Sequence, residues 1–255
     1  MTLLEARGLH IAIGGKTVCE NLHLKIEAGQ TWGILGQNGI GKTSLLLTLA
    51  GLRPPGRGEI LIQGRPLSRL HSRETARGIG VVPQDNRELF PSSVLETALI
   101  GRHPYLKRWQ WEDQADLDKA RAALRVMELE DMAQREVGTL SGGEHQRLQI
   151  ATLLTQAPAL SLLDEPINHL DLRHQIHTLE TLRRLCSGPG HALVMVLHDV
   201  NLAARYCDHL LLVCGEGRVR VGHRDEVLTL DNLNALYGYP LRQMELEGRR
   251  FFLPE

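Results

Sequence analysis

The chain has 255 residues, 42% of them apolar, with 29 lysines and arginines against 30 aspartates and glutamates. That length buries a full core and suits one large α/β domain or a domain with an inserted lobe. The near-neutral balance gives no electrostatic case for nucleic acid or anionic lipid as the main partner, and apolar runs such as Ala192 to Leu197 are far too short to span a bilayer.

Met1 to Arg7 has no long apolar stretch behind a basic start, so no signal peptide is expected. Residues 3 to 30 alternate loosely between apolar and polar, with turns at Gly14-Gly15-Lys16 and Ala28-Gly29-Gln30, which predicts an antiparallel pair. The apolar run Trp32 to Leu35 then leads into Gly36-Gln37-Asn38-Gly39-Ile40-Gly41-Lys42-Thr43 and the apolar-rich Leu45 to Leu52. Strand, glycine loop and helix in that order is the context of a phosphate-binding P-loop. Glycines let the backbone curl until successive N–H groups point inward, a nest for phosphate oxygens at the positive end of the following helix. The expected nucleotide-binding set is Gly36, Asn38, Gly39, Gly41, Lys42, Thr43 and Ser44, with Lys42 a mobile charge for the β- and γ-phosphates and the Thr43 hydroxyl a ligand for Mg2+.

Residues 54 to 65 read as a further short strand between turns, making a small β lobe beside the nucleotide. Gly78 to Val82 is an apolar strand stopped by Pro83, with Gln84 just beyond. Carboxyl ends of strands face the ligand in open α/β sheets, so Gln84 is placed to reach Mg2+ or the γ-phosphate; standing alone it would read as a solvated loop glutamine. From Pro91 to Gln156 the pattern turns helical: Leu117, Ala120, Leu124 and Met127 form one apolar stripe. Trp109 and Trp111 sit in a polar connection and are either lobe packing or an exposed contact.

Ser141 and Glu144 form a capping box, starting a helix that Pro158 stops. A cap does not need the consecutive Gly142 and Gly143, which leave backbone N–H groups and the Ser141 hydroxyl uncovered, a second anion-binding site. Ala159 to Leu163 is a buried strand ending in Asp164-Glu165, and two carboxylates there are costly unless they meet a cation or do chemistry. Asp164 can hold Mg2+ through water and Glu165 can polarise an attacking water. A helix with Ile176, Leu179 and Leu182 inward runs to Gly188-Pro189-Gly190. The next strand, Ala192 to Leu197, ends at His198, on the ligand side, where it can donate to a γ-phosphate oxygen. Leu210 to Val213 begins a further strand, and residues 223 to 255 add short helices and a hairpin turning at Glu247-Gly248. Cys19, Cys186, Cys207 and Cys214 are scattered without a Cys-x-x-Cys pair, as in reduced core thiols of the cytosol. His169, His174 and His177 admit a metal-cluster reading as an alternative.

Together these segments resemble the ATP-binding subunit of ABC transporters over nearly the whole chain. Five motifs follow the family's order: Walker A at Gly36 to Thr43, the Q-loop at Gln84, the signature at Leu140 to Glu144, Walker B running into Asp164-Glu165, and the switch His198; the D-loop corresponds to Leu170-Asp171. The resemblance implies an α/β fold, a P-loop NTPase core with a mainly parallel sheet, a small antiparallel β lobe and an inserted helical lobe. The core with its β lobe spans about 1-87 and 157-222, the helical lobe about 88-156 and a C-terminal extension about 223-255. It implies an ATPase with Glu165, His198 and Gln84 catalytic, Thr43, Gln84 and Asp164 around Mg2+, and Ser141, Gly142 and Gly143 of one copy meeting the ATP held by Lys42 of a second in a head-to-tail homodimer.

Leu99 to Leu106, His198 to Asp208 and Leu236-Tyr237-Gly238 look like importers of iron chelates, haem and vitamin B12. That likeness implies integral membrane permease subunits docked near Gln84, a periplasmic substrate-binding protein acting indirectly, no nucleic acid, and a peripheral place on the cytoplasmic face of the inner membrane. Two departures stand out: Ile13 occupies the usual place of an adenine-stacking aromatic, leaving adenine to apolar contact or to another residue such as His10, and Ile167 replaces a common threonine. The alternative is a soluble ABC ATPase acting as an assembly or regulatory factor without a permease. A P-loop kinase or GTPase is a third reading, against which the signature segment speaks.

Overall fold

The computed structural model describes residues 1–84, 91–186 and 188–255. Strands β1 (Thr2–Ile13) and β2 (Lys16–Glu27) are the expected antiparallel pair, turning at Gly14-Gly15, both at positive φ. β3 (Thr31–Gly36) is buried at all six positions and feeds the glycine loop into α1 (Lys42–Leu49). β4 (Arg57–Ile62) adds to β1 antiparallel and carries the two-residue β5 (Arg65–Pro66) on its outer edge. α2 (Ser72–Gly78) leads into β6 (Ile79–Val82).

The stretch that follows is helical, with α3 (Val94–Leu99), α4 (Gln114–Val126) and α5 (Gly142–Gln156). The boundary drawn near residue 87 lies outside the described residues. On α4 the expected stripe packs inward, with Ala120 and Leu124 fully buried, Met127 buried at its end and Leu117 half-buried. Trp109 and Trp111 are 89% and 85% exposed, which decides between the two readings of that pair in favour of solvent.

The parallel strands resume with β7 (Leu160–Asp164), α6 (Leu172–Cys186) and β8 (Ala192–Val196), then α7 (Val200–Tyr206) and β9 (His209–Gly215), with β10 (Arg218–His223) folded back antiparallel on β9. α8 (Arg224–Val227), α9 (Leu230–Tyr237) and the hairpin β11 (Leu241–Leu246) and β12 (Arg249–Pro254) complete the chain, with Glu247 and Gly248 at positive φ in the turn.

The central sheet has the order β10-β9-β3-β8-β7-β6, and β2-β1-β4-β5 forms a second, antiparallel sheet. Successive side chains of a strand point to opposite faces, and this period of two divides the molecule into two apolar layers. Ile34, Leu162, Val194, Val196 and Leu211 face the β1-β2-β4 sheet and α1, whereas Leu35, Leu163, Leu193, Met195 and Leu212 face the helices and the C-terminal elements. Strands covered on both faces read as unbroken apolar runs, which is why β3, β7 and β8 lack alternation in the sequence. Cys19, Cys186 and Cys207 are buried free thiols and Cys214 a half-buried one. Among the described residues no helix is long and apolar enough to cross a membrane.

Candidate functional site

Four parallel strands end side by side, and the residues of interest stand at or just past those ends. Gly36 closes β3, Asp164 closes β7, Gln84 lies two residues beyond β6 and His198 two beyond β8. β7 pairs with β8 so that Asp164 is opposite Val196, and the Glu165 N–H donates to the Val196 carbonyl at 3.2 Å. This register sets Glu165 across from His198.

The loop after β3 folds around two glycines that no other residue can replace without strain. Gly39 has φ 71°; Gly41, the residue before α1, has φ 107°, and a Cβ there would come within 2.5 Å of the Val18 side chain. The Lys42 ammonium, 5% exposed, donates to the carbonyls of Gly36 at 2.9 Å and Gln37 at 3.1 Å. An ammonium has three protons, so one stays available to an anion. Burial lowers the Lys42 pKa, and the carboxylates of Glu165 and Asp164 pull it back up.

A cavity of about 450 Å³ opens over this loop, walled by Asn38, Gly39, Gly41, Lys42, Thr43, Ser44, Gln84, Glu165 and His198. Gly36 and Asp164 are buried beside it. Ile13, Lys16 and Val18 close one side. His10 is set against Gly56 rather than in that wall, whereas Ile13 and Val18 are part of it.

Glu165 is 9% exposed and sits at φ 53°, a left-handed backbone uncommon for residues other than glycine. Its Oε2 accepts from Gln84 Nε2 at 3.0 Å and from the Asn168 amide, and its Oε1 lies 2.5 Å from His198 Nε2. Gln84 therefore engages Glu165 and not Asp164 in this structure. Asn168 escaped the sequence reading; its signal was the turn from Glu165, closed by the Asn168 N–H donating to the Glu165 carbonyl at 3.2 Å, which folds an amide three residues on back over the carboxylate.

Asp164 is 1% exposed, and neither carboxylate oxygen has a hydrogen-bond partner among the described residues. Burial pushes its carboxyl above the usual aspartate range; the Thr43 hydroxyl, near it but outside hydrogen-bonding geometry, and Lys42 oppose the shift. A buried carboxylate with two orphaned oxygens beside a threonine hydroxyl fits a divalent cation that prefers oxygen ligands, and Mg2+ is such an ion.

Ser141, Gly142 and Gly143 stand elsewhere. They line a separate cavity of about 530 Å³ with Arg147, His169, Leu170 and Asp171 at the N-terminus of α5. The Ser141 hydroxyl is less open than the sequence suggested, because its oxygen accepts from the Glu144 N–H at 3.3 Å in the capping box; its proton remains to be donated. Gly143 brings the helix tip against the next loop, where an added Cβ would lie 3.0 Å from the His169 carbonyl. Buried Gln146 donates to the Pro166 carbonyl at 3.3 Å and ties α5 to the turn that holds Glu165. Two of the three histidines make separate bonds, His174 with Asp171 at 2.9 Å and His177 with the Val126 carbonyl at 2.9 Å, and among the described residues no His, Cys, Asp and Glu group converges on a metal position.

Residues 19–168 match the family model described as ABC transporter. The chain is 39% identical over 236 residues to the cobalamin import ATP-binding protein BtuD of Halobacterium salinarum, covering 92% of this chain and 58% of that one. It is 39% identical over 242 residues to the hemin import ATP-binding protein HmuV of Pseudomonas putida, covering 92% of each. A solved transporter described as of metal-chelate type, in an inward-facing conformation, superposes with a TM-score of 0.86 at 29% identity over 100% of this chain and 98% of that one. With a family model spanning more than half its length and a relative matched nearly end to end, the chain belongs to the ABC transporter family.

Proposed function

We propose that two copies of this chain stack head to tail around ATP and hydrolyse it to drive a separate permease. The observation carrying this reading is the division of labour within one chain. Lys42, Thr43, Gln84, Glu165 and His198 share one cavity, while Ser141 and Gly143 line another with the loop at Leu170-Asp171. A helix tip presenting N–H groups and a hydroxyl proton is complementary to a γ-phosphate, and only a second copy brings it to the first cavity. The symmetry is isologous, so a dimer has two such sites.

In this reading the N–H groups from Gly39 to Ser44 and the third Lys42 proton hold the β- and γ-phosphates. Mg2+, held by Thr43, Asp164 through water, and Gln84, neutralises phosphate charge when bound. Glu165, steadied by Gln84 and Asn168, takes the proton of a water that bonds to the γ-phosphorus as the bond to the bridging oxygen breaks and ADP leaves. His198, whose Nε2 faces Glu165 in this structure, turns to donate to a γ-phosphate oxygen once ATP is bound. The division into a core, a helical lobe over about 88–156 and a C-terminal extension belongs to the same proposal, with permease subunits docking near Gln84 on the cytoplasmic side of the inner membrane and a periplasmic binding protein beyond them.

The transported compound follows from likeness: relatives named for cobalamin and hemin import and a structural neighbour of metal-chelate type support an iron chelate, haem or cobalamin. Light scattering on Glu165→Gln tests the dimer. ATP with Mg2+ is expected to double the mass and ADP to leave it single; one mass under both conditions overturns the reading.

A further inference from the structure

A larger cavity than either of these, of about 740 Å³, lies between α6, α7 and the C-terminal hairpin, and none of its lining residues belongs to the nucleotide cavity. Asn201 fastens the hairpin to α7, donating to the Phe252 carbonyl at 3.1 Å and accepting from the Phe252 N–H at 2.8 Å. The wall carries six arginines, at 183, 184, 205, 224, 249 and 250, against two carboxylates, Glu180 and Asp225.

Most of these guanidiniums have some local company. Arg250 hydrogen-bonds to Asp225, Arg224 donates to the Ala204 carbonyl at 2.9 Å, Arg205 is 3.8 Å from Glu180 and Arg183 3.8 Å from Asp208. Arg184 and Arg249 have no carboxylate partner among the described residues. So many like charges around one concavity raise its potential and repel one another unless an anion enters.

A second observation points to the same ligand. Tyr206 is 3% exposed, lines this cavity, and its buried hydroxyl has no hydrogen-bond partner among the described residues. Buried tyrosine hydroxyls are normally paired. The Arg205 guanidinium lies 5.1 Å from the centre of the same ring. The Tyr206 hydroxyl is closed off in this structure, so a small turn of the side chain toward the cavity lets an oxyanion there accept its proton, while the surrounding guanidinium forks take further oxygens, the geometry that arginine matches on phosphate. The volume is that of a small-molecule site and exceeds one phosphate.

We propose that this cavity binds a soluble small molecule carrying two or more phosphate groups, at a site separate from the one that holds ATP. The buried, unpartnered hydroxyl favours a slim oxyanion over an acidic protein segment. The inference goes beyond the proposed function and does not depend on it.

The test is calorimetric titration of inorganic tripolyphosphate into the full chain carrying Lys42→Ala, which weakens phosphate binding at the P-loop, so that the arginine-dependent part of the signal reports the second cavity. Saturable binding is expected. Adding Arg184→Ala and Arg249→Ala, both at exposed positions, should weaken it about tenfold or more, and adding Tyr206→Phe about threefold or more. The same substitutions with Lys42 restored should leave ATP binding unchanged. No saturable binding to the Lys42→Ala chain, or binding indifferent to Arg184 and Arg249, overturns the proposal. Sedimentation with phosphatidylcholine vesicles with and without cardiolipin is the second arm: arginine-dependent capture by cardiolipin alone, without tripolyphosphate binding, would move the site to a lipid headgroup and overturn the soluble-ligand form.

Discussion

Glu165→Gln isolates the charge on one carboxylate with little change of shape. In the structure Oε2 accepts from the side-chain amides of Gln84 and Asn168 while Oε1 faces His198 Nε2 at 2.5 Å. A carboxamide keeps one carbonyl oxygen for the two amide donors and turns its NH2 toward the imidazole, so the turn at Glu165 is retained. What goes is the ability to accept a proton from water. A positioned general base contributes about 10²- to 10⁴-fold, which is about 2.7–5.4 kcal/mol of barrier at about 1.36 kcal/mol per decade. Steady-state phosphate release should therefore fall by about two to four orders of magnitude. ATP affinity, measured by calorimetry, should stay within about threefold, because the phosphates rest on Lys42 and the loop N–H groups. A kcat within about threefold of wild type would refute the assignment of Glu165.

Other outcomes follow from neighbouring residues. Lys42→Ala should weaken ATP binding by about tenfold or more, since it deletes a charge-assisted donor that the buried loop cannot replace; calorimetry measures it. Gly41→Ala forces a side chain onto φ 107° and toward Val18, so both thermal stability and nucleotide binding should fall, by about 1–3 kcal/mol in stability. Asp164 has a folded-state pKa raised by burial, so its contribution to stability is present below the ordinary value of 3.8 and is lost as pH rises through the raised value. Asp164→Asn should accordingly raise Tm near neutral pH in chelator, by about 2–4 °C for each kcal/mol relieved. That advantage should shrink as pH approaches 3.8, while Mg2+-dependent stabilisation by ATP disappears in the variant. A Tm that falls at neutral pH would contradict the sign.

What the sequence made legible was local. The glycine loop, the capping box at Ser141 and the apolar runs that become β3, β7 and β8 are set by residues within a few positions of one another, and each keeps its expected place. What required the structure is contact between distant segments. Val18 and Lys16 enter the nucleotide cavity because β2 packs over the loop, and no pattern around residue 18 announces it. Trp109 and Trp111 stayed undecided because polar neighbours in sequence do not fix burial. The strand order, which sets Gln84 and His198 on either side of Glu165, comes from the pairing of β7 with β6 on one side and β8 on the other, the first joining segments about eighty residues apart. Tyr206 and the arginines around it belong to four segments, α6, α7, α8 and the C-terminal hairpin, that meet only in the fold.

The shared site is tested most directly by mixing two inactive chains. Lys42→Ala removes the phosphate grip from both sites of its own homodimer, and Ser141→Arg blocks the helix tip in both sites of its own. Each variant alone should show almost no ATP turnover. A heterodimer of the two carries one site with Lys42 and Ser141 both intact, so an equal mixture should recover about a quarter of wild-type activity. No recovery on mixing, with heterodimers verified by differential tagging, or substantial turnover by either variant alone, would contradict a nucleotide held between two copies.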